Sequence, residues 1–142
     1  MKKILGIDYG DKRMGLALSD SGGIIACGIR TELIRGLNHA AEIIIKTAKI
    51  NDVQTIVLGY PKNLNGTESP MSAKVNRLKL LLEKNISGEM DVVLFDERLS
   101  TAYAHKLMNI TDTCGKKRKD NIDTLAAQII LQDYLDFYNK AK

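Results

Sequence analysis

Tryptophan is absent from this chain, and cysteine occurs only twice, at Cys27 and Cys114. The pair has neither metal-ligand nor redox spacing, so both are expected as reduced thiols in a cytoplasmic protein. No apolar run approaches the roughly 20 residues that cross a bilayer, so no membrane-spanning helix is expected. The N-terminus runs straight into a strand pattern. No apolar segment leads to a small-residue cleavage site, so no export signal is expected. Internal repeats, low-complexity tracts and linkers are also missing. The 142 residues suit one domain, 1–142, with a real core.

The distribution of charge is more informative. Lysine plus arginine number 21 and aspartate plus glutamate 17, a net charge of +4. Four cations are consecutive, Lys116, Lys117, Arg118 and Lys119, and without them 17 cations balance 17 acids. An excess gathered in one segment suits contact with a polyanion. A solvated polar loop would have the same composition.

Periodicity orders the elements. Residues 3–9 read as a strand, Gly10 to Arg13 as a tight turn, and "MGLALSD" as a second strand. Asp20-Ser21-Gly22-Gly23 is turn chemistry before a third strand, "IIACGIRTEL", which makes an antiparallel meander. Apolar residues at helical spacing mark a helix from about Asn38 to Lys49. "TIVLGYP" is apolar on both faces, as a parallel strand covered on both sides must be. Ser69 reads as an N-cap with Pro70 at the first helical position of a helix ending near Asn85. "DVVLFDE" is another buried strand. Ser100 or Thr101 can cap a short helix to about Asn109, and a long amphipathic helix closes the chain. The order β-β-β-α-β-α-β-α-α predicts an α/β protein. Its sheet is mixed and five-stranded, three strands in an antiparallel meander plus two parallel, with helices on both faces. That is the order of the ribonuclease H-like fold.

Three acids stand where a side chain would be held rigidly. Asp8 ends the first strand, Glu97 ends "VVLFDE", and Asp123 lies in the first turn or so of the last helix. A charge closing an apolar strand is costly unless something pairs with it. Hard divalent cations such as Mg²⁺ or Mn²⁺ take oxygen ligands and keep some waters. Two such ions about 3.5–4 Å apart stabilise the attacking and leaving oxygens of a phosphodiester displacement. Asp8, Glu97 and Asp123 are therefore candidate metal ligands and catalytic residues. Gly6 and Gly10 leave space near Asp8, and Ala126 and Ala127 would let the last helix approach the sheet. Singly, each acid has a plainer account. Asp8 could be a turn residue, Glu97 could pair with Arg98 or Arg13, and Asp123 could favour a helix N-terminus.

The stretches "ILGIDYGDKRMGLALSD", "VLGYPKNLNGTESP", "LFDERLST" and "KKRKDNIDTLAAQIILQDYL" strongly resemble the YqgF/RuvX family of ribonuclease H-like proteins. The resemblance covers nearly the whole chain, and four ordered motifs make it specific. It implies a metal-dependent nuclease that processes the 5′ end of pre-16S ribosomal RNA or, alternatively, resolves Holliday junctions. The family's presumed active-site acids fall on Asp8, Glu97 and Asp123. Two departures stand out. Family members commonly have a Lys-Gly pair where this chain has Lys119-Asp120, and the fourth strand ends in Gly59-Tyr60-Pro61 rather than a carboxylate.

Arg13 and Arg98 sit beside proposed ligands and could orient a phosphate or hold an acid in an ion pair. The 116–119 tetrad precedes the helix that carries Asp123, a position suited to guiding a phosphate backbone. Expected partners are structured RNA or branched DNA and no membrane, with a homodimer favoured if two strands are cut symmetrically. Two rivals belong to other classes. An actin-like ATPase shares the opening Asp-x-Gly turn but needs two such domains. A non-catalytic nucleic-acid-binding factor in transcription or ribosome assembly would keep binding without cleavage.

Overall fold

The computed structural model describes residues 3–61 and 65–96, and the closing helix from 122 to 141. Among these residues the elements run β1 (Lys3–Tyr9), β2 (Arg13–Ser19), β3 (Ala26–Leu33), α1 (Leu37–Ile50), β4 (Val53–Tyr60), α2 (Pro70–Ile86), β5 (Asp91–Asp96) and α3 (Ile122–Ala141). The sheet order is β3-β2-β1-β4-β5. β2 is antiparallel to both β1 and β3, whereas β4 is parallel to both β1 and β5. Tight turns make the antiparallel part, and crossovers through α1 and α2 make the parallel part. This is the mixed sheet that the order of elements predicts. The short helix expected near 100–109 lies outside the described residues.

Local chemistry sets the boundaries. Gly10 N–H donates to the Arg13 carbonyl at 2.9 Å, and a Cβ on Gly10 would sit 2.8 Å from that oxygen, so this turn requires glycine. The Asp20 carboxylate accepts from the backbone N–H groups of Ile24 at 2.8 Å and Ile25 at 3.0 Å. These two residues are thereby held in the turn, and β3 begins at Ala26 rather than at residue 24. Ser69 and Ser72 form a reciprocal capping box at the start of α2.

The sheet has two buried faces. Leu5, Ile7, Leu16, Ile56 and Leu58 pack with Ile44 of α1 and with Leu78 and Leu82 of α2. Ile4, Ala17, Ala26, Val57 and Phe95 pack with Ala127, Ile130, Leu131 and Leu135 of α3. By strand alternation, Gly6 and Asp8 share the α3 face with Ile4.

α3 lies unusually close to that face. Gly28, Ala17, Gly6 and Val57 are register partners across four strands. A Cβ on Gly6 would fall 2.6 Å from Leu131 Cβ, and one on Gly28 would fall 2.3 Å from Thr124 Cγ2. The small residues form a trough, and the helix seats in it.

Two buried glutamines fix how far along the trough the helix lies. Gln128 Oε1 accepts from Gly28 N–H at 3.3 Å while its Nε2 donates to the Ala26 carbonyl at 3.1 Å. Gln132 Oε1 accepts from Ala26 N–H at 2.8 Å while its Nε2 donates to the Ile24 carbonyl at 2.8 Å. Each amide takes the place of a neighbouring strand on the outer edge of β3, which would otherwise present unpaired backbone groups. Four helical residues rise about 6 Å and two strand residues about 6.6 Å, so the two ladders stay in step.

Cys27 lies on β3. The chain's other cysteine, Cys114, lies outside the described residues.

The trough makes a direct prediction. Gly6→Ala should cost about 1–3 kcal/mol, the usual range for overpacking, measured as a lower urea midpoint with an unchanged slope. A second prediction concerns Asp133 on α3, which is 6% exposed and whose Oδ2 has no hydrogen-bond partner among the described residues. Burial, assisted by the Asp136 charge, raises its pKa from 3.8 to about 6. The folded state therefore holds this proton more tightly than the unfolded one. The resulting stability is present below the unfolded pKa and is lost as pH rises through about 6. Asp133→Asn should raise the melting temperature at pH 7 and flatten its fall between about pH 4 and 6 in a calorimetric series.

Candidate active site

The parallel strands β1, β4 and β5 carry their carboxyl ends to one edge of the sheet, the edge where open α/β sheets place ligands. Asp8 stands there, half-buried, one residue from the end of β1. Its register partner on β2 is Gly15. On the other side the β1–β4 register runs to Ile7 opposite Leu58, so Gly59 follows beside Asp8. Glycine thus flanks the carboxylate in both neighbouring strands. The exposed Arg13 shares strand parity with Gly15 and Ala17 and lies just beyond the Asp8 row on the α3 face.

The path of α3 brings its beginning to the same edge. Thr124 lies beside Gly28 and Thr31, whereas Gln132 bonds near the start of β3, so the helix runs antiparallel to β3. β3 and β1 are each antiparallel to β2, so α3 is also antiparallel to β1. Ala127, whose carbonyl would lie 3.4 Å from a Gly6 Cβ, sits one helical turn after Asp123. The Asp123 backbone is therefore in the first turn of α3, toward the end of β1 that carries Asp8. The Asp123 side chain lies outside the described set.

β5 ends at Asp96. Val93 and Phe95 belong to the α3 face, and Val92 and Leu94 to the opposite face. Asp96 shares the parity of Val92 and Leu94. Glu97 itself lies outside the described residues, as do Arg98 and the cations Lys116, Lys117, Arg118 and Lys119. Among the described residues, no three His, Cys, Asp or Glu side chains form a group that could hold a metal.

On the opposite face at the same edge, Tyr60 donates to Glu68 Oε2 at 2.6 Å and accepts from Asn76 Nδ2 at 2.9 Å. The Glu68 hydrogen bond, with burial, raises the Tyr60 pKa. This network ties the end of β4 to α2 and the segment before it. Sequence reasoning missed it, and it also missed Gln128, Gln132 and the Thr31–Thr124 hydroxyl pair. Two glutamines four residues apart on an apolar helix face are the one signal that pointed to buried polar pairing.

The whole-chain comparisons agree with the fold. The profile of the RuvX family, described as Holliday junction resolvase, matches residues 2–137, and the chain belongs to that family. A relative from Geobacillus sp. (strain WCH70) is 44% identical over 140 residues, covering 94% of this chain and 97% of the relative. One from Carboxydothermus hydrogenoformans is 42% identical over 138 residues, covering 97% and 99%. Both carry the provisional name pre-16S rRNA nuclease. Among solved structures, Thermus thermophilus RuvC in complex with a Holliday junction substrate superposes with a TM-score of 0.67 at 13% identity, covering 99% of this chain and 96% of RuvC. The fowlpox virus Holliday junction resolvase gives 0.59 at 12%, covering 96% and 99%. These likenesses establish the ribonuclease H-like fold.

Proposed function

We propose that the protein is a divalent-metal-dependent endonuclease acting on structured nucleic acid, with the 5′ end of pre-16S rRNA as its substrate. One observation carries this reading most directly. Asp8 lies in a glycine-flanked row at the carboxyl edge of the sheet, the edge toward which the first turn of α3 also lies.

The donors suit Mg²⁺ or Mn²⁺. They are hard carboxylate oxygens, the ligands such an ion takes. Asp8, Glu97 and Asp123 would hold the metal. When bound, it supplies Lewis-acid neutralisation of phosphate charge and lowers the pKa of an attacking water. Arg13 holds a phosphate oxygen through its guanidinium fork, with Arg98 in a similar role. Lys116, Lys117, Arg118 and Lys119 fix the nucleic-acid backbone along the edge, a sequence-independent contact. The name shared by relatives above 40% identity favours RNA over a four-way DNA junction.

The deciding experiment offers a labelled pre-16S 5′ leader and a four-way DNA junction to the protein, with Mg²⁺, Mn²⁺ or chelator. Metal-dependent cutting of the leader is expected. Asp8→Asn should lower it by about two to three orders of magnitude, the scale of losing one electrostatic contact to the transition state, while circular dichroism stays unchanged. Cutting of the junction alone would replace the RNA substrate with DNA. Binding without cleavage under any metal, unchanged in Asp8→Asn, would leave a non-catalytic binding factor. Replacing all four tetrad cations by glutamine should reduce the slope of log affinity against log salt by about 3, read from filter binding of the leader.

A further inference from the structure

We propose that Thr31 is a positioning residue for the metal site, holding the first turn of α3 in place through Thr124. The role rests on the nuclease reading above. Alternation along β3 from Ala26 and Gly28 would place residue 30, not 31, on the α3 face. The register instead shifts: Ala17 pairs with Gly28, but Leu16 pairs with Arg30. Ile29 is the extra residue, a bulge that changes which side chains reach which face. Ile29 packs with the α1–α2 cluster, and Arg30 donates to Thr47 of α1 at 2.9 Å. Thr31 then meets α3, where its Oγ1 lies 2.5 Å from Thr124 Oγ1.

The bond falls at a significant place. Thr31 pairs with Gly15 and Gly15 with Asp8, so Thr31 stands in the Asp8 row two strands away. Thr124 directly follows Asp123. Its Cγ2 methyl seats on Gly28, at a spot a Cβ there would approach to 2.3 Å. A β-branched side chain is stiff about χ1. With its methyl held by Gly28 and its hydroxyl by Thr31, Thr124 fixes the rotation of the helix beside Asp123. Further along, Gln128, Gln132 and Leu131 hold α3 without Thr31. Losing the Thr31 hydroxyl should therefore loosen the first turn while the fold persists.

The test uses the full-length protein and two readouts: Mn²⁺ binding followed by electron paramagnetic resonance, and cleavage of the pre-16S leader. Thr31→Val keeps the shape and removes the hydroxyl. It should weaken Mn²⁺ binding roughly tenfold, as expected on losing a group that orients a metal ligand. It should also lower kcat by a similar factor, leave KM for the leader unchanged and shift the melting temperature by only a few degrees. Thr31→Ser should restore both readouts. Wild-type Mn²⁺ affinity in Thr31→Val, with binding lost in Asp8→Asn, would overturn the Thr31 role and leave the nuclease reading standing. Mn²⁺ binding untouched by Asp8→Asn would overturn the metal site and the Thr31 role together. A loss in Thr31→Val that Thr31→Ser does not rescue would mark a packing residue only, and would also overturn the proposal.

Discussion

The structure depends on how closely α3 approaches the sheet. With ordinary side chains at Gly6 and Gly28, Leu131 and Thr124 could not occupy their present positions. The helix would ride higher, and a short aspartate in its first turn would be carried away from the end of β1. Small residues in the trough thus serve the proposed site at one end of it. The same closeness lets Gln128 and Gln132 reach the backbone of β3, so one constraint both sets the helix height and closes a sheet edge.

Hydrophobic packing alone would leave this arrangement underdetermined. Leu131, Ile130 and Leu135 can pack on a flat apolar face in several nearby registers, because dispersion and burial are non-directional. Hydrogen bonds are directional, and a buried amide that misses its partner costs about 1–3 kcal/mol. Sliding α3 by one residue would misalign both glutamines at once. The polar pairs therefore act chiefly on specificity, choosing one placement among several of similar apolar area. Thr31 and Thr124 extend that choice to the turn that carries Asp123.

Much of the fold was legible in the sequence because its signals are local. The apolar alternation of β1, the turn at Gly10 and the Ser69-Pro70 start of α2 each involve residues a few positions apart. Asp8 was legible for the same reason, as a charge closing an apolar run. What escaped notice depends on pairs distant in sequence. The amides of Gln128 and Gln132 meet β3 about a hundred residues earlier, and nothing near either glutamine names that partner. The bulge at Ile29 is equally silent, since its cause is the fit of β3 to β2 and α3 together.

The order of the strands also bears on which acid the proposed site uses where. Asp8 lies on the central strand, and α3 comes down close to that strand. β5 is two strands from β1, about 9–10 Å at the usual spacing, with β4 between them. β4 contributes Gly59 opposite Phe95 at that level, so β4 itself sets no side chain there. A carboxylate offered from β5 must cover more distance than one offered from β1 or α3. Glutamate has an additional methylene that aspartate lacks, so the sheet order suits a proposed site that takes aspartate from β1 and a longer acid from beyond β4.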